Sequence, residues 1–300
     1  MRDMAPYLEH VLGDTWCIVT GKYRIPLYMP DRSRAVMMDS GLKYPDREGI
    51  LSLLEREKIR VDSLLTSHSH PDHVGNHSAI RAAHGCTVYM APFMALAAQD
   101  PTALQSYGYE AYARHTSSRK LPAPDRIIPR DAEAVEASGA SFSLLWLPGH
   151  AVEQVGFITP DGVAYLADTL LSEHILDSIR LPFYTCCRLD LEAKESLRNL
   201  RCHRYILAHN GVYRDISGLI DRNIAAVREK LDLIQGLCDS WMTVDRLAAR
   251  VMAHLGLDGN DVHKTVASKR NIRVFMEYLV ETGRLEVRAS QGYVEYLGTK

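Results

Sequence analysis

The chain has 300 residues, 35 Lys and Arg against 37 Asp and Glu, and a hydrophobic fraction of 46%. That length suffices for one large domain with a substantial core, alone or with a small companion, and a net charge of -2 makes no global case for a nucleic-acid or membrane partner. The acidic start lacks the apolar run of a signal peptide and no apolar stretch reaches about 18 residues, so a cytoplasmic protein is expected.

The first 60 residues read as short strands joined by turns. Trp16 to Thr20 and Ala35 to Met38 are strand candidates, the second ending in Asp39-Ser40-Gly41. Tyr44 to Lys58 has helical spacing at Ile50, Leu53 and Leu54. Val61 to Thr66 is an apolar run that stops at a histidine cluster, and Asn76 to His84 forms a helix closed by Gly85, which suits a left-handed cap. Thr87 to Met90 is a further strand.

Residues 92–130 change texture, being rich in Ala, Tyr and Pro, with Tyr107, Tyr109, Tyr112 and His115 close together. This stretch is expected to be a helical insertion ending in a loop at Pro122, Pro124 and Pro129, and to reach the rim of any site built by the flanking strands. Strands resume at Phe142 to Leu147, and Val155 to Thr159 pairs with Val163 to Ala167 around Pro160-Asp161-Gly162. Leu189 to Leu200 and Ser217 to Leu237 read as helices, with a strand at Tyr205 to Ala208 between them. From Trp241 the pattern changes: Thr243 caps one helix, a second ends at Gly283, and two strands follow around Ser290-Gln291-Gly292. A domain boundary is expected near residue 240. The six cysteines include no C-x-x-C pair and read as small buried side chains.

His68-Ser69-His70-Pro71-Asp72-His73 places three imidazoles and a carboxylate within six residues, between a strand and a helix start. Imidazole nitrogen suits borderline cations such as zinc, and a carboxylate adds charge to offset a second ion. Burying these groups together without a metal would be costly unless each were paired; the competing reading is a solvated polar loop. His150, Asp168 and His209 each follow an apolar strand candidate, the layout expected when loops along one sheet edge build a site. Seven ligands are too many for one tetrahedral ion and suit two.

In order and spacing these elements resemble the motif series of the metallo-β-lactamase superfamily: His-x-His-x-Asp-His, then Leu147-Pro148-Gly149-His150, then Ala167-Asp168-Thr169, then His209, with Asp39-Ser40-Gly41 upstream. The resemblance covers roughly residues 10–215 and implies an α+β fold, a four-layer αββα sandwich. It further implies that His68, His70 and His150 hold one metal, that Asp72, His73 and His209 hold the other, that Asp168 bridges them and that Asp39 orients a ligand. The full set is closer to glyoxalase II-type thioesterases, lactonases and ribonucleases than to true β-lactamases, whose second site usually includes a cysteine. Two divalent ions are therefore expected, zinc first, with iron or manganese as alternatives.

The expected reaction is hydrolysis of a small-molecule ester, thioester or lactone by a bridging hydroxide; the alternative is a nuclease or phosphodiesterase. Asp72 has two readings, metal ligand or proton carrier to the leaving group, and is the catalytic candidate. His77 either hydrogen-bonds a ligand or is an ordinary surface or capping residue, the second reading being preferred. His115 and His174 read as surface residues before substrate contacts, and Tyr184 as a core residue or a phenol donor to substrate. No other substrate-binding residue is assigned.

Residues 241–300 resemble the winged-helix extension of some superfamily members, with Lys264, Lys269, Arg270 and Arg273 clustered near the second helix. Nine Lys and Arg against seven Asp and Glu give this segment only +2, modest for a phosphate-binding surface. A scaffold or homodimer contact is preferred to nucleic acid, and an intact ligand set argues against a DNA-binding regulator with a vestigial metal domain.

Overall fold

The computed structural model describes residues 5–21, 23–100, 121–209 and 211–299. Its first sheet has seven strands in sequence order: β1 (Tyr7–Leu12), β2 (Thr15–Val19), β3 (Arg24–Tyr28), β4 (Arg34–Met38), β5 (Arg60–Leu65), β6 (Thr87–Met90) and β7 (Arg126–Ile127). The sheet is antiparallel up to β4 and parallel thereafter. Parallel neighbours need crossovers, supplied here by α1 (Asp46–Arg56) between β4 and β5 and by the short α2 (Pro71–Val74) and α3 (His77–His84) between β5 and β6. Gly85, at φ 67°, closes α3 as its sequence predicts. Helix α4 (Pro92–Gln99) follows β6.

The second sheet runs β13-β12-β11-β10-β9-β8, from β8 (Ala134–Ala137), β9 (Ala140–Trp146), β10 (Val155–Ile158) and β11 (Val163–Tyr165) to β12 (Arg204–Leu207) and β13 (Gly211–Tyr213). Ile18, Leu27, Met37 and Leu64 of the first sheet share one core with Phe142, Phe157, Tyr165 and Ile206 of the second. Side chains alternate across a strand, so Val163 and Tyr165 enter that core while Ala164 faces outward. The outer face is covered by α6 (Cys187–Ser196) and α7 (Ser217–Leu237), which contribute Ala193, Leu219, Ile220 and Ile224; α5 (Glu173–Ser178) precedes them. With α1 and α3 on the other side, this is the αββα layering. The turn at Asp161 also stitches the two sheets, since its carboxylate accepts from Asp14 N at 2.9 Å and Thr15 Oγ1 at 2.7 Å.

Helices α8 (Val244–His254) and α9 (Val262–Glu281) and a sheet β14-β16-β15 complete the chain, the strands being β14 (Met242–Thr243), β15 (Leu285–Ser290) and β16 (Tyr293–Gly298). Thr243 caps α8 by accepting from Arg246 N, and Asp261 caps α9 by accepting from Lys264 N. The module shares its core with the rest of the chain: Leu247, Val251, Ile272, Phe275 and Leu279 pack with Val227, Leu231 and Ile234 of α7 and with Tyr184 and Cys187.

Three local expectations need adjustment. The helix expected from Leu189 starts at Cys187 and finishes as a 3-10 turn at Leu197–Asn199. The loop expected at Pro122–Pro129 contains the edge strand β7, which pairs with β6. Of the expected helical insertion, Pro92–Gln99 is helical, while Tyr107, Tyr109, Tyr112 and His115 lie outside the described residues. Among the described residues no helix is long and apolar enough to cross a membrane.

Candidate metal centre

Four loops leaving sheet ends deliver the polar side chains. The β5–α2 loop carries His68 and His70, and Pro71, fixed in φ and lacking an N–H, opens α2 where neither property costs a helical hydrogen bond. Helix α2 carries Asp72 and His73. The β9–β10 connection brings His150, the segment after β11 brings Asp168, and the segment after β12 brings His209.

These seven residues form two donor groups that share one carboxylate. His68, His70, His150 and Asp168 offer ligand atoms that all lie within 4.8 Å of one another, and so do Asp72, His73, Asp168 and His209. In the first group His70 Nδ1 is 3.0 Å from His68 Nε2 and 2.8 Å from His150 Nε2. Asp168 spans both groups, with Oδ2 3.3 Å from His150 Nε2 and 3.3 Å from His209 Nε2, and Oδ1 3.3 Å from His73 Nε2. Asp72 Oδ2 completes the second group at 3.3 Å from His209 Nε2.

The outer hydrogen bonds set which ring nitrogens face inward. Asp39 Oδ2 accepts from His73 Nδ1 at 2.7 Å, from Tyr165 OH at 2.7 Å and from the Ser67 hydroxyl. Because the Ser67 proton goes to Asp39, its oxygen is left to accept from His68 Nδ1 at 3.0 Å. His150 Nδ1 donates to the Phe183 carbonyl at 3.1 Å. In all three rings Nδ1 therefore carries the proton and Nε2 presents its lone pair to the centre, the tautomer a metal requires. Asp39 achieves this in the left-handed region at φ 62°, a strained conformation that a short acid tolerates better than most side chains.

The donor set fits divalent cations. With the His73 proton at Nδ1, buried His73 Nε2 and Asp168 Oδ1 face each other at 3.3 Å as two acceptors and make no hydrogen bond, a costly arrangement unless a cation belongs between them. Electrostatics agree. Burial pushes the His68 imidazole well below its usual range, with the neighbouring His73 and His70 adding to the effect. Burial likewise lowers His70 and His150, so these rings stay neutral and available as ligands. In the second group burial opposes, but does not overcome, the carboxylates: Asp168 and Asp39 draw His73 well above its ordinary value, and Asp168 and Asp72 draw His209 up to about 9. Against burial, His209 and His73 hold Asp72 down at about 2. Considered as protein atoms alone, this half of the site calls for positive charge.

His77 corrects its preferred reading. It is fully buried rather than a surface or capping residue, bonded to Ser40 Oγ at 2.7 Å and Thr66 Oγ1 at 2.9 Å. It reaches no ligand side chain; Ser40 in turn donates to the His73 carbonyl. His174 is exposed and lies outside the central cavity, whereas Tyr184 is a buried ring packed on Phe275 at 5.7 Å between centroids.

A cavity of about 460 Å³ opens over the centre. His70, Asp72, His150, Asp168 and His209 form its floor, and Leu171, Ile175, Ile179, Pro182, Phe183 and Tyr184 its wall. None of the described residues of the 92–130 stretch lines it. Of this wall sequence reasoning named Tyr184 and missed the aliphatic residues and Phe183, and it also missed Lys194, a buried lysine at its edge whose ammonium bonds both oxygens of buried Asp190 one helical turn away. The C-terminal module fastens the wall: the Asn271 amide donates to Pro182 O at 2.6 Å and accepts from Tyr184 N at 3.1 Å, and Arg180 donates to the carbonyls of Leu255 and Gly256.

Comparison with known proteins agrees with this geometry. A hydroxyacylglutathione hydrolase from Methylococcus capsulatus is 25% identical over 231 residues, covering 73% of this chain and 75% of its own. Hydroxyacylglutathione hydrolase GloC from Haemophilus influenzae is 26% identical over 145 residues, and the match spans 65% of that protein and 48% of this chain. For a third such relative, from Albidiferax ferrireducens, it spans 46% of the relative. Two crystal structures share the fold along nearly the whole chain: a metallo-beta-lactamase family protein from Thermus thermophilus (TM-score 0.71, 19% identity, 98% of this chain and 99% of that one) and a beta-lactamase domain protein from Burkholderia ambifaria (TM-score 0.72, 16% identity, 97% and 93%). The model of the Metallo-beta-lactamase superfamily matches residues 29–209, a span holding every ligand candidate and most of both sheets, and the chain belongs to that superfamily of hydrolases.

Proposed function

We propose that the protein is a binuclear metal-dependent hydrolase acting on a small-molecule thioester, ester or lactone. The observation that carries this reading is the pair of four-residue donor groups sharing Asp168. His68, His70 and His150 would hold one divalent ion and Asp72, His73 and His209 the other, with Asp168 available to both. Zinc is the first expectation from a donor set of imidazoles and carboxylates. When bound, the ions supply Lewis acidity, making water a nucleophile near neutral pH and drawing off charge from the substrate oxygen.

The chain's own groups do the rest. Asp39, Ser67 and the Phe183 carbonyl hold protons at Nδ1 of three histidines and so keep the ligand nitrogens aimed. In the hydrolysis the water oxygen bonds to the acyl carbon, the bond to the leaving sulfur or oxygen breaks, and the water's proton ends on the leaving group. Asp72, 22% exposed against 6% for Asp168, lines the cavity and is the carboxylate best placed to carry that proton as well as to bind metal. Thioesters head the list because the curated relatives are named hydroxyacylglutathione hydrolases. A nuclease needs a basic approach to the centre. Among the described residues the lysine of the cavity lining is paired with Asp190, and of the four basic residues near the second helix of the C-terminal module Lys264, Lys269 and Arg273 face Asp258, Asp245 and Glu277, while Arg270 is half-buried; this supports the small-molecule reading.

The test is metal analysis of the purified protein together with a panel of thioesters, esters, lactones and phosphodiesters. Two ions per chain and turnover of an acyl substrate are expected, with both His70→Ala and Asp168→Ala abolishing it. Turnover unchanged in either variant would refute the mechanism.

A further inference from the structure

We infer that the substrate carries an apolar group, an alkyl chain or aromatic ring, which lies against the wall formed by Leu171, Ile175, Ile179 and Phe183 while its acyl centre meets the donor groups. For its chemistry this rests on the hydrolase reading above; the binding claim stands on the wall itself.

In a folded chain apolar residues mostly join a core, yet none of these four belongs to any of the hydrophobic clusters among the described residues. Neither are they spread over the open surface, for all four are half-buried and border one cavity. Helix α5, which bears Ile175, buries no residue, so packing against the body does not explain its isoleucine. The cavity volume, about 460 Å³, is that of a small-molecule site, in which an apolar lining and a few convergent polar groups are the usual division of labour. Here the polar groups lie on the floor and the apolar ones on the wall.

Two further features favour an apolar occupant over a charged one. A substrate bearing a carboxylate or phosphate away from its acyl centre would need a cation on the wall, and among the described residues the lysine of the lining is bound to both oxygens of Asp190. The wall is also built rather than loose. Pro182 and Tyr184 are held by Asn271, and Arg180 is held by the carbonyls ending α8. A fixed apolar surface gains binding energy from methylene groups without first being ordered.

The experiment uses the metal-loaded full chain and two thioester series. One varies the acyl group from acetyl to octanoyl on a constant N-acetylcysteamine thiol; the other keeps acetyl and varies the alkanethiol. Each buried methylene is worth roughly fourfold, so kcat/KM is expected to rise by about two hundredfold over four methylenes in one series, which also shows which half of the substrate meets the wall. Ile175→Asn and Ile179→Asn should cut the ratio of hexanoyl to acetyl kcat/KM (or its alkanethiol counterpart) at least tenfold, whereas damage to the fold alone would lower both terms together. Calorimetric titration with acetate, hexanoate and octanoate separates the two claims. No turnover of any thioester, ester or lactone in the panel, with octanoate binding far tighter than acetate, would overturn the hydrolase reading and uphold the apolar site. Turnover that is flat with chain length, or a preference for succinyl over hexanoyl, would overturn the apolar site and leave the hydrolase standing.

Discussion

Gly149→Ala probes how the third loop ligand is positioned. Gly149 adopts φ 133°, a conformation essentially restricted to glycine and costing other residues about 1–3 kcal/mol. A Cβ there would also lie 2.3 Å from both Cα and N of Asp190. Those are backbone atoms at the start of α6, so relief requires the helix or the loop to move; overpacking of this kind costs a further ~1–3 kcal/mol. The loop has little freedom to yield, because the Gly149 carbonyl accepts from Thr185 N at 2.7 Å and Cys186 N at 3.1 Å. The expected loss is roughly 2–6 kcal/mol, a large share of the stability of an ordinary domain. Urea denaturation monitored by circular dichroism measures it, and metal analysis of the folded fraction should show fewer ions, since His150 is the next residue. Gly236→Ala serves as control: its Cβ meets nothing within 4 Å, and in helix α7 it should stabilise by about 0.5–1 kcal/mol. A Gly149→Ala protein as stable as the parent and fully loaded with metal would refute the reasoning.

Further predictions concern buried polar groups. Burial holds the His77 imidazole at about 4 against an ordinary 6.5, so as pH falls the unfolded chain takes up this proton first. Stability should decline from pH 6.5 to 4, by about 3 kcal/mol in total; His77→Gln should remove that slope, seen as the wild-type minus variant difference in unfolding free energy, and an unchanged difference across the range counts against the assignment. Lys194→Met strands the Asp190 carboxylate in the interior and should cost about 3–5 kcal/mol by chemical denaturation, with Asp190→Leu added to it restoring most of the loss; a single variant within 1 kcal/mol of wild type (an effect at the ~1 kcal/mol level typical of exposed pairs) would argue that the pair is hydrated. Asn271→Ala leaves the Pro182 carbonyl and the Tyr184 N–H unpartnered and frees the segment that bonds His150. Metal affinity should fall by about 10–100-fold in a competition titration with a chelator, and an unaltered affinity would disconnect α9 from the centre.

Much of this architecture was legible because its signals are local. Apolar runs ending abruptly in His or Asp mark strand ends that face a common edge, and the folded chain brings all seven such side chains together. The strands that escaped reading lack that signal. In β3, Pro26 argues against a strand, yet pairing with β4 begins only at Leu27, so the missing N–H faces no partner there. Edge strand β1 has a burial pattern without clean alternation, and β13 is three residues long. The cavity wall was illegible for a different reason: Ile175 and Phe183 have the composition of core residues, and only tertiary placement shows that they face a cavity. His77 was misjudged because a lone polar residue at a helix start gives no hint of the hydroxyls of Ser40 and Thr66, which come from elsewhere in the chain. The change of texture at Trp241 is visible in the sequence, but the sharing of its core with Val227 and Tyr184 depends on contacts between segments far apart in the chain.

That shared core bears on any attempt to shorten the molecule. Cutting after α7 would expose Val227, Leu231 and Ile234 as an unbroken greasy stripe and would release the clasp that Asn271 maintains on Pro182. Such a fragment should aggregate, and whatever stayed dispersed should retain a lopsided pocket. Residues 241–299 thus brace the cavity wall from behind, through Asn271 and the shared core, and are less an appendage than a backing to it.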